Sequence, residues 1–159
     1  MSNFKIIKGD LIKLAKQGKF THIGHGCNCF LSMGAGIALS IAKEFPVAAQ
    51  VDKLTRSGDI NKLSNYTIAH QAIDDNRSFN IVNFYTQYQP GKYFMPDALS
   101  LALYKFCYEE PIDKDTHLGI PWIGCGIGGG KIETVYKIVQ SYSKAIKITV
   151  VEYSLTGRK

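Results

Sequence analysis

The sequence has no apolar run that approaches the roughly 20 residues a membrane-spanning helix needs. Its first ten residues, MSNFKIIKGD, also lack the apolar core of a secretory signal peptide. Internal repeats and low-complexity segments are missing as well. With 159 residues and a hydrophobic content of 45%, we expect one compact domain over residues 1–159, located in the cytoplasm and with no membrane partner.

The four cysteines have neither the spacing of a disulfide framework nor that of a structural zinc site. Cys27 and Cys29 are separated by a single residue, which is too tight to supply two ligands of an ordinary zinc site. We therefore expect reduced thiols, no metal and no cofactor.

Two common nucleotide-binding motifs are also absent. Gly-Lys-Ser/Thr occurs nowhere, which excludes a P-loop. The first glycine-rich stretch lacks Gly-x-Gly-x-x-Gly directly after the first predicted strand, and no acidic residue follows about 20 positions later at a strand end. A Rossmann dinucleotide site is therefore disfavoured.

The charge of the chain is unbalanced, with a formal net value of +6. Such an excess favours an anionic partner, either nucleic acid or a small molecule that resembles a dinucleotide. Charge alone does not choose between them, but no nucleic-acid-binding motif supports the first.

Hydrophobic periodicity predicts strands that alternate with helices. The strands are expected at 4–8, 21–25, 66–71, 79–85, 117–123 and 146–153, and the helices at 11–17, 35–43, 47–56, 97–109 and 132–143. The polar turn at residues 74–77 joins two of the strands into a hairpin. This order predicts an α/β fold, a three-layer α/β/α sandwich with a mixed sheet.

Two glycine-rich loops stand out because each precedes a predicted helix. In HIGHGCNCFLSMGAGIALSIAKEFP, residues 22–46, Gly34 and Gly36 let the backbone approach a ligand closely, and the free N–H groups of the next helix suit a phosphate. An ordinary tight turn can have the same pattern. The second loop covers residues 124–130. Ligands of such sheets bind beyond the carboxyl ends of the strands, so the two loops together predict a diphosphate site.

The sequence resembles the macro domain family, which binds ADP-ribose, and within it the ADP-ribose-1''-phosphate phosphatase branch. The resemblance runs almost from end to end. Its marks are Lys8-Gly9-Asp10-Leu11, His25-Gly26-Cys27-Asn28-Cys29, Met33-Gly34-Ala35-Gly36-Ile37-Ala38, Pro121-Trp122-Ile123-Gly124-Cys125-Gly126-Ile127 and Ile148-Thr149-Val150.

The resemblance implies the macro domain fold, with ADP-ribose or ADP-ribose 1''-phosphate as the ligand. Asp10 would accept the adenine amino group, Asn28 would meet the distal ribose, and Tyr153 would stack on adenine. The remaining implied contacts are backbone and apolar groups of the same segments: Gly9, Leu11, Gly34, Ala35, Gly36, Ile37, Ala38, Gly124, Cys125, Gly126, Ile127, Gly128, Gly129 and Gly130. Asp10 could instead serve only as the N-cap of the first helix.

A histidine that opens His-x-Cys-Asn-Cys is typical of the phosphatase branch, and His25 occupies that place. The resemblance therefore implies an enzyme that removes the 1''-phosphate of ADP-ribose 1''-phosphate. His25 would act as general acid, as base or as nucleophile, and if His25 proves dispensable, Asn28 would be the catalytic residue and would position a water. A buried structural histidine is the plainer alternative for His25.

Two other functions stay open, a non-catalytic ADP-ribose reader and a hydrolase of ADP-ribosylated macromolecules. The branch that removes ADP-ribose from protein glutamates uses a lysine after the hairpin and an aspartate after Gly-Cys-Gly. The matching positions here are Gln87 and Gly128, so we do not expect a lysine-adduct mechanism. We expect a monomer.

Overall fold

The computed structural model describes residues 3–153, which form six strands, five α-helices and one short 3-10 helix. In chain order these are β1 Phe4–Gly9, α1 Leu11–Lys16, β2 His22–Cys27, α2 Gly36–Glu44, α3 Pro46–Asp52, the 3-10 helix Ile60–Lys62, β3 Tyr66–Ala72, β4 Ser78–Tyr85, α4 Pro96–Glu109, β5 His117–Ile120, α5 Ile132–Tyr142 and β6 Lys147–Tyr153. No helix in this part of the chain is long and apolar enough to cross a membrane.

The strands form one sheet in the order β1-β6-β5-β2-β4-β3. All neighbouring pairs are parallel except β3 and β4, which are antiparallel. The mixed sheet and its hairpin are therefore confirmed, and β2 lies inside the sheet between β5 and β4.

Helices cover both faces of the sheet, which confirms the three-layer α/β/α sandwich. On one face α1, α2 and α3 pack over a cluster that includes Ile23, Ile41 and Ile81. On the other face α4 and α5 pack over a cluster that includes Phe106 and Val139. Strand residues alternate between the two clusters, as the pleat of a sheet requires.

Several helix ends follow directly from the sequence. Asp10 caps α1, because its Oδ1 accepts hydrogen bonds from the amides of Ile12 (3.0 Å) and Lys13 (3.2 Å). Pro46 and Pro96 stand in the first turns of α3 and α4, where a missing N–H costs nothing.

The structure differs from the predicted bounds by more than one residue at three places. β2 continues to Cys27, two residues beyond the predicted end. β5 stops at Ile120 because Pro121 has no N–H to continue the ladder. The α3 helix ends at Asp52 rather than at 56, since the following amides of Leu54 and Thr55 turn back to carbonyls only three residues earlier.

The parallel strands all end at the same edge of the sheet. Their last residues are Gly9, Cys27, Tyr85, Ile120 and Tyr153. The loops that follow β1, β2, β4 and β5, together with the end of β6, therefore meet at this carboxyl edge.

Candidate functional site

A cleft runs along the carboxyl edge and consists of two connected cavities. The β6 cavity has a volume of about 790 Å³ and lies over the ends of β1 and β6. The β2 cavity has a volume of about 570 Å³ and lies over the ends of β2 and β4. Five residues line both: Gly36, Ile37, Pro121, Trp122 and Gly126. One elongated ligand could therefore span the two cavities.

The β6 cavity is lined by predicted site residues from separate stretches of the chain. Gly9, the half-buried Asp10 and Leu11 follow or end β1, Cys125 belongs to the loop after β5, and Tyr153 ends β6. The Tyr153 side chain is 58% exposed, so a large part of its surface is open to contact. The capping role of Asp10 and its place in the cavity coexist.

The β2 cavity contains most of the other predicted contacts. Its lining includes Asn28, Gly34, Ala35, Ala38, Gly124, Ile127 and Gly128. The Asn28 side chain also braces its own loop, because Nδ2 donates to the carbonyl of Ser32 (2.9 Å) and Oδ1 accepts from the amide of Phe30 (2.8 Å). This bracing fixes the orientation of the Asn28 amide at the cavity wall.

Two residues of the second glycine loop lie outside the cavities. Gly129 and Gly130 donate from their amides to the carbonyls of Gly126 (3.1 Å) and Gly124 (2.7 Å), which closes the loop on itself. A Cβ on Gly130 would come within 2.5 Å of Phe94. Gly129 and Gly130 thus allow the loop to pack tightly, and their predicted role as ligand contacts is corrected.

Six residues that line this cleft have backbone amides with no hydrogen-bond acceptor within residues 3–153. Three belong to the second loop, at residues 126–128, and three to the first turn of α2, at residues 36–38. The first-turn amides of a helix carry the positive end of its dipole. Such a set of donors suits an anion such as a phosphate group.

His25 lies beneath the cleft and not in its wall, 3.7 Å from the Sγ atom of Cys27, which does line the β2 cavity. Its side chain is fully buried on the α3 face of the sheet, and it lines neither cavity. In β2, which continues to Cys27, His25 comes two residues after Ile23 and therefore points to the same face of the sheet. The placement predicted for His25 is therefore corrected, and the structural reading of this histidine agrees with the geometry.

The His25 imidazole is part of a buried polar network. Asn83 donates from Nδ2 to the carbonyl of Ala48 and to Thr67 Oγ1 (3.1 Å each), so its Oδ1 accepts from His25 Nε2 at 2.7 Å. Burial lowers the pKa of His25 to about 4, although the bond to Asn83 acts in the opposite direction. The imidazole is neutral at pH 7 and holds β2 to β4 beneath the cleft.

Several lining residues were not assigned a role from the sequence. Trp122 Nε1 donates to Glu152 Oε2 at 2.9 Å, and both residues line the β6 cavity. Gln87 lines the β2 cavity, and its Nε2 donates to the carbonyls of Gln89 (2.8 Å) and Gly91 (2.9 Å). The others are Ile12, Gly26, Cys27, Ser32, Ser40, Lys43, Glu44, Thr86, Pro90, Gly91, Pro121, Ile123, Ile132 and Val151. Trp122 and Gln87 each come two residues after the end of a parallel strand. That position near the end of a predicted strand is the sequence signal that could have identified them.

The two cavities differ in charge. The lining of the β2 cavity includes no Asp, Glu, Lys, Arg or His, and burial raises the pKa of its Cys27 thiol. The lining of the β6 cavity includes Asp10, Lys43, Glu44 and Glu152. Within residues 3–153, no cluster of three or more His, Cys, Asp or Glu side chains is arranged to hold a metal ion.

Comparison with known proteins places the chain among relatives of the same fold. No protein-family model matches it. The uncharacterized 17.5 kDa protein in the tk-vs intergenic region of Enterobacteria phage T4 is 39% identical over 153 residues, which cover 94% of this chain and 96% of the relative.

Three solved structures are similar at low sequence identity. The macrodomain of Thermus aquaticus DarG has a TM-score of 0.73 at 16% identity, and the match covers 95% of this chain and 97% of that one. Thermosipho africanus DarTG in complex with ADP-ribose has a TM-score of 0.77 at 17% identity, with 98% of this chain and 43% of that one covered. A Trypanosoma brucei macrodomain in complex with ADP-ribose has a TM-score of 0.65 at 9% identity, with 95% and 63% covered.

The fold of this protein is accordingly that of the macrodomains, and the chain belongs to the same family as the 17.5 kDa phage T4 protein.

Proposed function

We propose that this protein binds ADP-ribose in the cleft along the carboxyl edge of its sheet. The observation that carries the proposal is the order of chemical groups along the cleft. A carboxylate lies at one end, backbone amides without acceptors lie in the middle, and an uncharged cavity lies at the other end. Two of the similar structures are described as complexes with ADP-ribose, which supports the same ligand here.

The adenosine part of the ligand occupies the β6 cavity in this proposal. The Asp10 carboxylate accepts a hydrogen bond from the exocyclic amino group of adenine. The exposed ring of Tyr153 stacks on the base, which suits an aromatic side chain at a strand end. Recognition of the base therefore depends on β1 and β6, the two strands at one end of the sheet order.

The diphosphate lies where the two cavities meet. The amides of residues 126–128 and those of residues 36–38 supply it with donors that no group within residues 3–153 accepts. The distal ribose enters the β2 cavity, where the polar groups of Asn28, Thr86 and Gln87 suit a neutral sugar.

Calorimetric titration tests the proposal. ADP-ribose should bind with one site per chain, and ADP should bind more weakly because it leaves the β2 cavity unfilled. Equal affinities for ADP and ADP-ribose would show that the distal ribose does not bind in the β2 cavity. A chain that binds neither at millimolar concentration does not have the proposed function.

Hydrolysis of ADP-ribose 1''-phosphate is a second candidate function. The free amides of residues 126–128 border the β2 cavity, where a phosphate on the distal ribose would lie, and such donors can stabilise charge on phosphoryl oxygens. Asn28 would orient the attacking water. His25 has no part in this version of the reaction because its side chain is fully buried and lines neither cavity.

A turnover assay distinguishes the enzyme from a reader. Release of inorganic phosphate from ADP-ribose 1''-phosphate, with turnover retained in His25→Gln, supports hydrolysis. ADP-ribose binding without phosphate release makes the protein a reader, and release of ADP-ribose from a modified macromolecule makes it a hydrolase of another class. The cytoplasmic location and the monomeric state stay predictions from the sequence.

A further inference from the structure

Glu152 has a fixed position in the wall of the β6 cavity. It is the second-last residue of β6, and its Oε2 accepts a hydrogen bond from Trp122 Nε1 at 2.9 Å. Glu152 is half-buried, and both it and Trp122 line the cavity. The indole therefore holds the carboxylate at the cavity wall instead of leaving it to swing into solvent.

In the proposed binding mode, Trp122 would bring this carboxylate beside the ribose of the adenosine. Trp122 lines both cavities, so it stands where the adenosine part passes into the diphosphate part. Asp10 marks the opposite end, at the base. The ribose joins base and phosphate, so in this binding mode its hydroxyl groups would come next to the Trp122–Glu152 pair.

Charged side chains of both signs surround the β6 cavity. Three carboxylates line it, Asp10, Glu44 and Glu152, together with the ammonium group of Lys43, and Glu44 forms an ion pair with Lys16. Lys8 lies opposite Glu152 in the register of β1 and β6. Lys43 belongs to α2 on one face of the sheet, whereas Trp122 packs near Tyr136 of α5 on the other face. Lys43 and Glu152 thus lie on opposite walls.

We infer that Glu152 makes the cleft selective for adenosine whose ribose has a free 2′-hydroxyl, so that ADP-ribose binds and 2′-phospho-ADP-ribose is rejected. This inference rests on the proposed function and names the substrate class of the same site. A carboxylate accepts hydrogen bonds from ribose hydroxyls, and in dinucleotide sites an acidic residue at the ribose goes with the absence of a 2′-phosphate. A phosphate beside Glu152 would meet like charge in a partly desolvated cavity.

The test compares the affinities of ADP-ribose and 2′-phospho-ADP-ribose for three proteins by calorimetry. The wild type should bind the phosphorylated ligand at least about tenfold more weakly. Glu152→Gln removes the charge but keeps an oxygen that can accept from Trp122, so it should reduce the ratio of the two affinities to about threefold or less. Glu109→Gln is the matched control: this exposed residue of α4 lines neither cavity, and the ratio should stay as in the wild type.

The possible outcomes separate this inference from the proposed function. Equal affinities of the two ligands in the wild type overturn the inference while leaving ADP-ribose binding intact, and this holds even if Glu152→Gln does not fold. A wild-type preference that Glu152→Gln leaves unchanged assigns the selectivity to another group and overturns the role of Glu152. If the wild type binds neither ligand, the proposed function fails and the inference fails with it.

Discussion

Asp10 combines two tasks in one carboxylate. Its Oδ1 caps α1 through the amides of Ile12 and Lys13, and the same side chain lines the β6 cavity. Either role could be predicted from the sequence, and the structure makes them compatible because the N-terminus of α1 opens directly onto the cleft. A mutation can separate them.

We predict that Asp10→Ser weakens ADP-ribose binding by about 1.5–3 kcal/mol, the range for a hydrogen bond to a charged group. Stability should change little, since serine caps a helix about as well as aspartate does. Calorimetry gives the first quantity and thermal unfolding the second. A folded Asp10→Ser protein with wild-type affinity would show that adenine does not contact Asp10.

His25 shows where the sequence interpretation failed and why. The polar residues after His25 indicated a loop, but β2 continues to Cys27, and the period-2 alternation of a strand then turns the imidazole to the same face as Ile23. The bond to Asn83 joins residues 58 positions apart in the chain. No local pattern reveals such a partner.

Burial of His25 predicts a stability that depends on pH. Its pKa is lowered to about 4 in the folded protein, against 6.5 for the ordinary imidazole. As the pH falls below 6.5, the unfolded chain binds a proton that the folded chain does not, so the free energy of unfolding should decrease by up to about 1.4 kcal/mol per pH unit until the pH approaches 4.

Urea unfolding at several pH values measures this dependence. His25→Gln can still donate to Asn83 but does not titrate there, so its stability should fall less steeply between pH 6.5 and 4. His22 and His117, whose pKa values burial also lowers, are present in both proteins, and the difference therefore isolates His25. Parallel stability curves for the two proteins would contradict a neutral, buried His25.

At the level of elements, the two glycine loops were correctly identified as the parts that border the cleft, but their glycines have different roles. Gly126 faces open space: a Cβ built there meets no atom within 4 Å. Gly124 has φ +79°, and a Cβ there would come within 2.2 Å of Phe94. Position in the loop could be predicted from the sequence, whereas the contact with Phe94 depends on the folded chain.

We predict that valine at Gly126 abolishes ligand binding, whereas valine at Gly124 lowers the stability of the fold. Gly126→Val should keep its melting temperature but lose the stabilisation that ADP-ribose gives the wild type, because the new side chain projects into the cleft. Gly124→Val should lose about 2–5 kcal/mol of stability from left-handed backbone strain and overpacking. Thermal unfolding with and without ADP-ribose measures both, and a Gly126→Val protein that the ligand still stabilises would place the ligand elsewhere.

At the level of the whole molecule, the class of fold could be predicted and the strand order was not. Alternating patterns locate most elements within two residues because they are local properties of the chain. The pairing of β1 with β6 joins the two ends of the described chain, and no local pattern specifies it. The position of the cleft followed from the fold class even so, because all parallel strands direct their carboxyl ends to one edge.

An NMR titration of the amide groups tests directly whether ADP-ribose binds along this edge. We predict that chemical-shift changes concentrate in the loops after β1, β2 and β5 and at the end of β6. The largest should occur at residues 36–38 and 126–128, whose amides gain a phosphate acceptor that the described chain does not supply. Shifts confined to the opposite edge, around Thr21 and His117, or no shifts at millimolar ADP-ribose, would contradict it.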